Sequence, residues 1–274
     1  MKLLVLGSEG QIGGHLCSFL EKKGHEVDRL DIVLTPNDDL RYRVNSDAIY
    51  ERMYEADYVF FLAFDVGGSS YLKKYEGSPS FILSNLALMH ETFQSLQDSK
   101  TPFMFASSQM ADMPYSSYGT LKRAGEFLTK ALDQTTVRFW NVYGIEKDIE
   151  KAHVITDFIN EAISTKKIEC KTSGYEERQF LYADDACEAM YTLMEKKLKG
   201  SFDISSFKWT RIIDIAMLIG DKMEVMVLAN PDVGDEVQKD AKVDPKEDIL
   251  EHWVPKVKLE VGINRIIKEY KSWI

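Results

Sequence analysis

The sequence predicts an α/β protein in which strands and helices alternate around a doubly wound parallel sheet. Three observations support this: short apolar runs that stop at glycine or polar residues, amphipathic stretches between them, and a glycine-rich loop after the first run. Such alternation is typical of a parallel sheet covered by helices on both faces. Ligands of these sheets bind outside the carboxyl ends of the strands.

Most of this pattern lies in the first half of the chain. The predicted strands are 2–7, 26–31, 56–63, 101–108 and 135–144. The predicted helices are 10–24, 78–97 and 118–133. After residue 145 the pattern loosens into a helix over 145–164, a strand and helix over 178–198, and a short strand at 201–205. We therefore expect a larger domain at 1–145, completed by about 178–205, and a smaller, substrate-binding part at 146–274 that interleaves with it.

Composition narrows the class of protein. The 274 residues are 45% hydrophobic and 28% charged, as in ordinary globular proteins, and the net charge is 34 − 44 = −10. This acidity argues against a nucleic-acid partner, which needs clustered lysine and arginine. Cys17, Cys170 and Cys187 are widely spaced, which favours free thiols in a reducing compartment and no metal site. The first apolar run is too short for a signal peptide or membrane span, so we expect a cytoplasmic protein without a membrane partner.

The glycine-rich loop indicates a nucleotide site. Gly7, Gly10 and Gly13 stand between a strand and a helix, where glycine allows a tight turn and lets a pyrophosphate approach the helix N-terminus. Asp31 ends the second strand, and a carboxylate there can accept both ribose hydroxyls of NAD while repelling a 2′-phosphate. A turn-capping role for Asp31 is the alternative. In this setting the pattern favours NAD and makes residues 1–145 the expected dinucleotide-binding domain.

A tyrosine and a lysine on one helix suggest acid–base chemistry. Tyr118 and Lys122 are four residues apart and project from the same helix face. A nearby ammonium lowers a phenol's pKa, so the phenol can exchange a proton with a substrate alcohol or ketone. Ser107 and Ser108 end the preceding strand and can hold the same substrate oxygen. An isolated pair at this spacing is common; the order of glycine loop, acid, serines, tyrosine and lysine favours catalysis.

Several motifs together resemble one enzyme family. They are "GSEGQIGGHL", "VFFLAFDVGG", "FASS", "YGTLKRAGE", "RFWNVYG" and "ERQFLYADD". In this combination the chain resembles an extended short-chain dehydrogenase/reductase of the NAD-dependent epimerase/dehydratase kind, which has a Rossmann fold and acts on nucleotide sugars. The resemblance runs nearly from end to end of the chain.

The resemblance implies a set of residues around NAD. They are Gly7, Gly10, Gln11, Ile12, Gly13, Asp31, Asp39, Leu40, Leu62, Ala63, Phe64, Asn85, Tyr118 and Lys122. Asp39 and Leu40 would flank the adenine, and Asn85 would support the site from its helix. Lys122 would bind the nicotinamide ribose and tune Tyr118.

The resemblance also implies the residues that meet the substrate. Tyr118 would be the catalytic acid and base, and either Ser108 or Ser107 would hydrogen-bond the reacting oxygen. Asn141 and Arg178 match positions that meet the diphosphate or nucleotide of the substrate. Gln109 and His153 match positions on the substrate side.

Departures from the family pattern limit the reaction. The dehydratases place an acid after their strand-end serine or threonine, whereas Gln109 and Met110 stand here, so a 4,6-dehydratase is not expected. The segment before Tyr118, "QMADMPYS", is short for the family. His153 matches the proton donor of the epimerase–reductases that make GDP-fucose, but their partner cysteine has no counterpart, so 3,5-epimerisation by that pair is not expected.

These inferences predict an oxidoreductase that acts on a sugar carbon, C4, of a nucleotide sugar, with a 4-epimerase favoured. A 4-dehydrogenase and a 4-keto reductase would use the same residues. A non-catalytic NAD-binding regulatory module is the alternative of another class, although such modules commonly lose the tyrosine or the lysine. A homodimer through the helices over 84–96 and 118–132 is also expected. The extra apolar positions there are Leu86, Met89, Phe93, Leu128 and Leu132.

Overall fold

The computed structural model describes residues 1–42, 46–230 and 243–272, which form strands β1–β11 and helices α1–α9. The strands are β1 (Lys2–Leu6), β2 (Glu26–Leu30), β3 (Tyr58–Phe61), β4 (Phe103–Ser108), β5 (Thr135–Phe139), β6 (Asn141–Tyr143), β7 (Lys167–Cys170), β8 (Glu177–Tyr182), β9 (Gly200–Ile204), β10 (Trp209–Arg211) and β11 (Met226–Ala229). The helices are α1 (Gln11–Lys22), α2 (Ser46–Glu55), α3 (Ser69–Tyr75), α4 (Pro79–Ser99), α5 (Ser117–Ala131), α6 (Val154–Thr165), α7 (Ala183–Glu195), α8 (Ile212–Met223) and α9 (Leu259–Ser272).

A parallel sheet forms the centre of the molecule, as the sequence predicts. Its strand order is β2-β1-β3-β4-β5-β9, and each neighbouring pair in that order is parallel. The chain moves from β1 to β2 on one side and then crosses to β3 on the other. The carboxyl ends of β1, β3 and β4 therefore meet at one edge, where a crevice opens. The α/β, doubly wound prediction is confirmed.

Both faces of this sheet are buried against helices, which explains the nearly continuous apolar runs of its strands. On one face, Leu16 of α1 and Met190 of α7 pack against the strands. On the other face, Met53 of α2, Phe93 of α4 and Leu121 of α5 do so. The site-bearing helix α5 is thus held by the core along its length.

The second half of the chain interleaves with the first. Strand β9 returns to the edge of the central sheet, whereas β10-β8-β6 and β11-β7 form two smaller sheets. Helices α6, α8 and α9 pack over these through a separate cluster that includes Ile159, Ile215 and Ile266. In the part of the chain that the structure describes, no helix is both long and apolar enough to cross a membrane.

Two predicted elements differ from the structure. The run over 135–144 is two strands, because the chain bends at Trp140 and leaves the central sheet for the smaller β10-β8-β6 sheet. The predicted helix over 145–164 begins at Val154, since the preceding charged segment lacks an apolar stripe and His153 has extended backbone (φ −94°, ψ 165°). His153 therefore caps α6 rather than lying within it. The short helices α2 and α3 were not predicted.

The apolar residues expected at a dimer surface divide into two groups. Met89 and Phe93 are buried in the core against the sheet, and Leu132 packs against the same cluster. Leu86 on α4 is 45% exposed and Leu128 on α5 is 42% exposed. Ordinary core packing thus explains three of these positions and leaves two on the surface.

Candidate active site

A cavity of about 550 Å³ opens at the carboxyl ends of the central strands. It gathers most of the residues that the sequence singled out. Those that line it are Gly7, Gly10, Gln11, Ile12, Gly13, Asp31, Asp39, Leu40, Leu62, Ala63, Phe64, Ser107, Ser108, Gln109, Tyr118, Lys122, Asn141 and His153. Residues up to 146 positions apart in the chain therefore share one space (Gly7 and His153).

The glycine loop has the geometry of an anion cradle. Gly7 has a left-handed φ of +84°, and a Cβ there would lie 2.7 Å from the backbone of Ala63. A Cβ on Gly13 would lie 2.0 Å from the Gly7 carbonyl oxygen, so the loop and α1 pack too closely for a side chain. Gly10 caps α1 without a side-chain hydrogen bond, which leaves the first N–H groups of the helix for a ligand. The loop thus fits the pyrophosphate of a dinucleotide.

Asp31 is fixed beside this loop. Its Oδ2 accepts a hydrogen bond from the Glu9 N–H at 2.9 Å, and its Oδ1 accepts one from the Val33 N–H at 3.0 Å. A carboxylate offers about four acceptor positions, so acceptor capacity remains for ribose hydroxyls. Both the turn-capping role and the proposed cofactor role are compatible with this geometry.

Asp39 and Leu40 form the wall next to Asp31. Asp39 accepts hydrogen bonds from the Arg41 side chain at 2.8 and 2.6 Å, and these bonds lower the pKa of the Asp39 carboxyl. Leu40 is buried and offers an apolar surface. The arrangement is suited to the flat, apolar face of a base.

Helix α5 brings Tyr118 and Lys122 to the cavity. The Ser116 side chain caps the helix by accepting from the Gly119 N–H at 3.0 Å, and Tyr118 and Lys122 follow on the buried face. The Lys122 Nζ donates to the Ala106 carbonyl oxygen at 2.7 Å and lies 5.8 Å from the centroid of the Tyr118 ring. The ammonium is thus within electrostatic reach of the phenol.

Burial shapes the acidity of both groups. It lowers the pKa of Lys122 to about 7, while the Glu126 carboxylate acts in the opposite direction. Burial raises the pKa of Tyr118, and a hydrogen bond with Ser108 opposes this rise. Burial thus moves the two pKa values apart, because it favours the neutral phenol of Tyr118 and the neutral amine of Lys122.

The two strand-end serines have different partners. Ser108 is hydrogen-bonded with Tyr118, and its Oγ also accepts from the Met110 N–H at 3.2 Å. Ser107 donates to Glu126 Oε1 at 2.6 Å, and Glu126 also accepts from Arg138 at 2.6 Å. Ser108 therefore faces the reactive phenol, whereas Ser107 belongs to an ionic network behind it. We call Ser107, Ser108, Tyr118 and Lys122 the helix wall.

A charged segment within residues 146–153, which we call the loop wall, also lines the cavity. His153 Nδ1 lies 2.6 Å from Glu146 Oε1, and the His153 N–H donates to Glu146 Oε2 at 3.0 Å. Burial by itself would lower the pKa of His153, but the Glu146 carboxylate raises it overall. Burial would raise the pKa of Glu146, and His153 instead holds it below its ordinary value. The result is an ion pair on the cavity surface.

Two lysines tie the loop wall to the cofactor side. Lys147 Nζ lies 3.3 Å from Glu9 Oε2, and Lys151 Nζ donates to Asp65 Oδ1 at 2.8 Å. Neither pair, nor Glu146, was found from the sequence. The two ion pairs join residues that are 138 and 86 positions apart in the chain, so no local sequence spacing could have predicted them. The one available signal for Glu146 was a carboxylate two residues after the strand motif "NVYG".

Two predicted residues lie outside the cavity lining. Asn85 is fully buried on α4, where its side chain accepts from the Asp65 N–H at 2.8 Å and donates to the Asp65 carbonyl oxygen at 3.2 Å. It therefore shapes the segment after β3. Arg178 lies on β8 and donates to the Glu177 carbonyl oxygen at 2.7 Å. Burial lowers the pKa of Arg178.

Comparison with known proteins gives a consistent picture. The model of the NAD dependent epimerase/dehydratase family matches residues 3–205. The chain is 22% identical to UDP-glucuronic acid decarboxylase 1 of Danio rerio, over 98% of this chain and 72% of that protein. The fold is similar to UDP-glucose 4-epimerase of Thermotoga maritima (TM-score 0.83, 21% identity, 100% and 99% of the two chains). It is equally similar to UDP-glucose 4-epimerase of Thermus thermophilus, solved with NAD (TM-score 0.83, 18% identity, 100% of both chains).

Proposed function

The chain belongs to the NAD-dependent epimerase/dehydratase family, and from that premise we propose that it is a nucleotide-sugar 4-epimerase. The observation that carries the proposal is the helix wall: Tyr118 hydrogen-bonded with Ser108, and the Lys122 ammonium one helical turn away. These groups share a cavity with the glycine loop. Hydride and proton transfer at a single carbon need this combination of groups.

The substrate class follows from the similar proteins and from the cavity. Those named above act on UDP-sugars according to their names. The cavity of this acidic chain contains Asn141, Lys147, Lys151 and His153, which can donate to a diphosphate or to sugar hydroxyls. In the described chain the Asn141 Nδ2 is buried without a hydrogen-bond partner, which favours a ligand acceptor there.

The mechanism assigns one task to each residue. The glycine loop and Asp31 would hold NAD, and the chemistry that NAD supplies when bound is hydride acceptance and return. Tyr118 takes the proton of the C4 hydroxyl as the carbon becomes a ketone, and it returns that proton after the reverse transfer. Lys122 stabilises the phenolate by charge, and Ser108 donates to the reacting oxygen.

Three related reactions would use the same residues and differ in the source and the destination of the hydride. Return of the hydride to the opposite face of the same oxidised sugar would give the 4-epimer. A hydride that leaves with another oxidant would make the protein a 4-dehydrogenase, and a hydride supplied by NADH to a keto sugar would make it a 4-keto reductase. We favour the epimerase because the two solved neighbours are named as 4-epimerases. A 4,6-dehydratase is not proposed, since Gln109 and Met110 offer no proton acceptor beside Ser108.

The test is a substrate panel. Purified protein is incubated with UDP-, GDP-, CDP- and dTDP-sugars, and 4-epimers are separated while nicotinamide absorbance is followed. We expect one nucleotide class to give an epimer, and Tyr118→Phe to abolish it. Turnover that is unchanged in Tyr118→Phe would refute the catalytic assignment. An absence of conversion and absorbance change with all sugars would instead favour an NAD-binding regulatory module.

The Glu146–His153 pair supports a second candidate function. A histidine oriented by a carboxylate is a typical proton donor or acceptor, and this one lines the same cavity as Tyr118. After oxidation at C4, such a group could take the proton at C3 or C5 and leave an enolate, and protonation of the opposite face by water would invert that carbon as well. Turnover in heavy water distinguishes the two reactions. Deuterium at C3 or C5 that is lost in His153→Ala would support the second function, and product without solvent deuterium would exclude it.

The surface of the chain leads us to propose a homodimer. Leu83 and Leu86 on α4 and Phe127 and Leu128 on α5 are 64%, 45%, 62% and 42% exposed. The two helices are neighbours on the sheet, so these side chains form one apolar surface. Pairing of this surface with its copy in a second chain would cover it.

A further inference from the structure

Lys122 carries a buried charge that needs stabilisation from its surroundings. Its side chain is almost entirely buried, with 3% of the residue exposed, and its Nζ donates to the Ala106 carbonyl oxygen. Glu126 attracts it from a distance, but the Glu126 oxygens already accept from Ser107 and Arg138. A single carbonyl is weak compensation for an ammonium removed from water. Burial accordingly lowers the pKa of Lys122 to about 7, so any further group that stabilises the ammonium increases the protonated fraction of the lysine near neutral pH.

Aromatic rings surround the ammonium. The Lys122 Nζ lies 3.7 Å from the centroid of the Phe64 ring, 5.0 Å from that of Phe105 and 5.8 Å from that of Tyr118. All three distances are within the range of cation–π attraction, and the Phe64 contact is the closest. Phe64 also meets Tyr118 edge to face, with centroids 5.7 Å apart. One ring thus touches both members of the proposed acid–base pair.

The chain holds Phe64 and Phe105 in these places by close packing. A Cβ on Gly125 would lie 2.3 Å from the Phe105 ring, so glycine at this position of α5 gives the ring its space. Phe64 precedes Asp65, whose N–H and carbonyl oxygen are both bound by the buried Asn85 side chain. The position of the Phe64 ring is therefore fixed from the far side of the segment after β3.

We propose that Phe64 is a positioning residue that stabilises the Lys122 ammonium by a cation–π interaction and thereby maintains the reactive state of Tyr118. This inference rests on the proposed function of the same site. Of the three N–H donors of Lys122, one is taken by Ala106 and the ring of Phe64 covers another side. The remaining donor is available to a ligand in the cavity.

The test changes the electron density of the ring without changing its size. Phe64 is replaced by phenylalanine carrying one, two or three ring fluorines, each of which weakens cation–π attraction. Because a less stabilised ammonium lowers the phenol pKa less, we expect the Tyr118 pKa to rise stepwise. Phenolate absorbance of the cofactor-free protein, with Tyr118→Phe subtracted, measures this directly. The acid limb of the kcat/KM profile of the cofactor-loaded protein should move to higher pH in the same order.

A substitution by a standard amino acid complements the fluorinated series. Phe64→Leu keeps an apolar side chain but removes the ring, and we expect turnover to fall about tenfold, the factor that one cation–π contact of this kind supplies. The matched control is the same fluorinated series at Phe61, a fully buried ring that packs on Phe93 and Phe105. A trend at position 64 that is absent at position 61 supports the inference.

Two results would overturn it. Fluorination at position 64 could leave the phenolate pKa and the pH profile unchanged, or position 61 could show the same trend. Either result would assign Phe64 to packing alone. Failure of the proposed function is a separate observation, because Tyr118→Phe would then retain turnover whatever the fluorinated series shows.

Discussion

The helix wall and the loop wall of the cavity are held in place by different kinds of interaction. The helix wall comes from a strand end and a helix in the core, and its groups are buried, close to one another and largely uncharged except for Lys122. The loop wall comes from an irregular segment, and ion pairs hold it: Glu146 with His153, Lys147 with Glu9 and Lys151 with Asp65. Core elements thus position the proposed reacting groups, while a charged loop lines another part of the same cavity.

This difference in construction matches a difference between the needs of proton transfer and those of substrate recognition. Proton transfer needs fixed geometry and a low-dielectric setting, which core elements provide. Recognition of one sugar among many depends on loops, which vary without disturbing the core. We therefore expect the residues of the helix wall to determine the class of reaction, and those of the loop wall to determine which substrate is bound. The following changes test the separation, in order of decreasing effect.

The largest effect is expected at Tyr118. Tyr118→Phe removes the proton carrier and keeps the ring that packs on Phe64, so turnover should fall by about 10²–10⁴-fold. Folding should be retained. Steady-state kinetics with the sugar identified by the panel, together with circular dichroism, measures both. If the variant lost its structure together with its turnover, the loss of turnover would be explained by unfolding and would not support a chemical role for Tyr118.

The two serines should separate chemistry from structure. Ser108→Ala removes the donor beside Tyr118 and should lower kcat by roughly 10²-fold. Ser107→Ala instead deprives the Glu126 carboxylate of a donor and should lower the free energy of unfolding by about 1–2 kcal/mol. Turnover at saturating substrate and chemical denaturation compare the variants. A greater loss of kcat in Ser107→Ala would reverse the assignment.

The loop wall should show a pH-dependent contribution to stability. The pKa of Glu146 is lowered, so its contribution is present above its ordinary value of 4.5 and is lost as pH falls through the lowered value. The pKa of His153 is raised, so its contribution is complete below 6.5 and is lost as pH rises through the raised value. The pair should therefore stabilise most between pH 4.5 and 6.5.

We expect His153→Ala to lower the free energy of unfolding by about 1 kcal/mol in that window, a modest value because the imidazole is partly exposed. The effect should shrink above the window. The matched control is His90→Ala, in which a 72% exposed imidazole lies 3.9 Å from Glu91. Denaturation curves across pH compare the two variants. A flat difference for His153→Ala, like that of the control, would contradict the ion pair.

The smallest effect on the site is expected at the exposed apolar surface of α4 and α5. Leu86→Asp combined with Phe127→Asp should convert the proposed dimer to a monomer, because charges would enter the covered surface. Turnover per chain should change less than for any variant of the helix wall. The control is Val261→Asp on α9, where an exposed apolar residue lies elsewhere. Sedimentation should give a dimer for the control, and a monomeric parent protein would contradict the proposal.

The central sheet and the residues of the helix wall could be predicted from the sequence, because both follow from local patterns of residues. The glycine loop, Asp31 and Ser108 each follow an apolar run, and the carboxyl ends of parallel strands meet. Of the loop wall only His153 was predicted, because Lys147 and Lys151 pair with residues 138 and 86 positions away, and Glu146 meets His153 across an irregular segment without a recognisable spacing. The bend at Trp140 could not be predicted either, because an apolar run has the same sequence pattern whether it forms one strand of one sheet or two strands of two sheets.

We propose that Tyr118 exchanges the hydroxyl proton at a single sugar carbon, while bound NAD would take the hydride from that carbon and return it. The most direct measurement uses the nucleotide sugar found by the panel, labelled with deuterium at C4 and converted without added cofactor. The 4-epimer should retain deuterium at C4, and Tyr118→Phe should give no epimer. An epimer that has lost the C4 deuterium to water, or conversion by Tyr118→Phe at the rate of the parent, would contradict the claim.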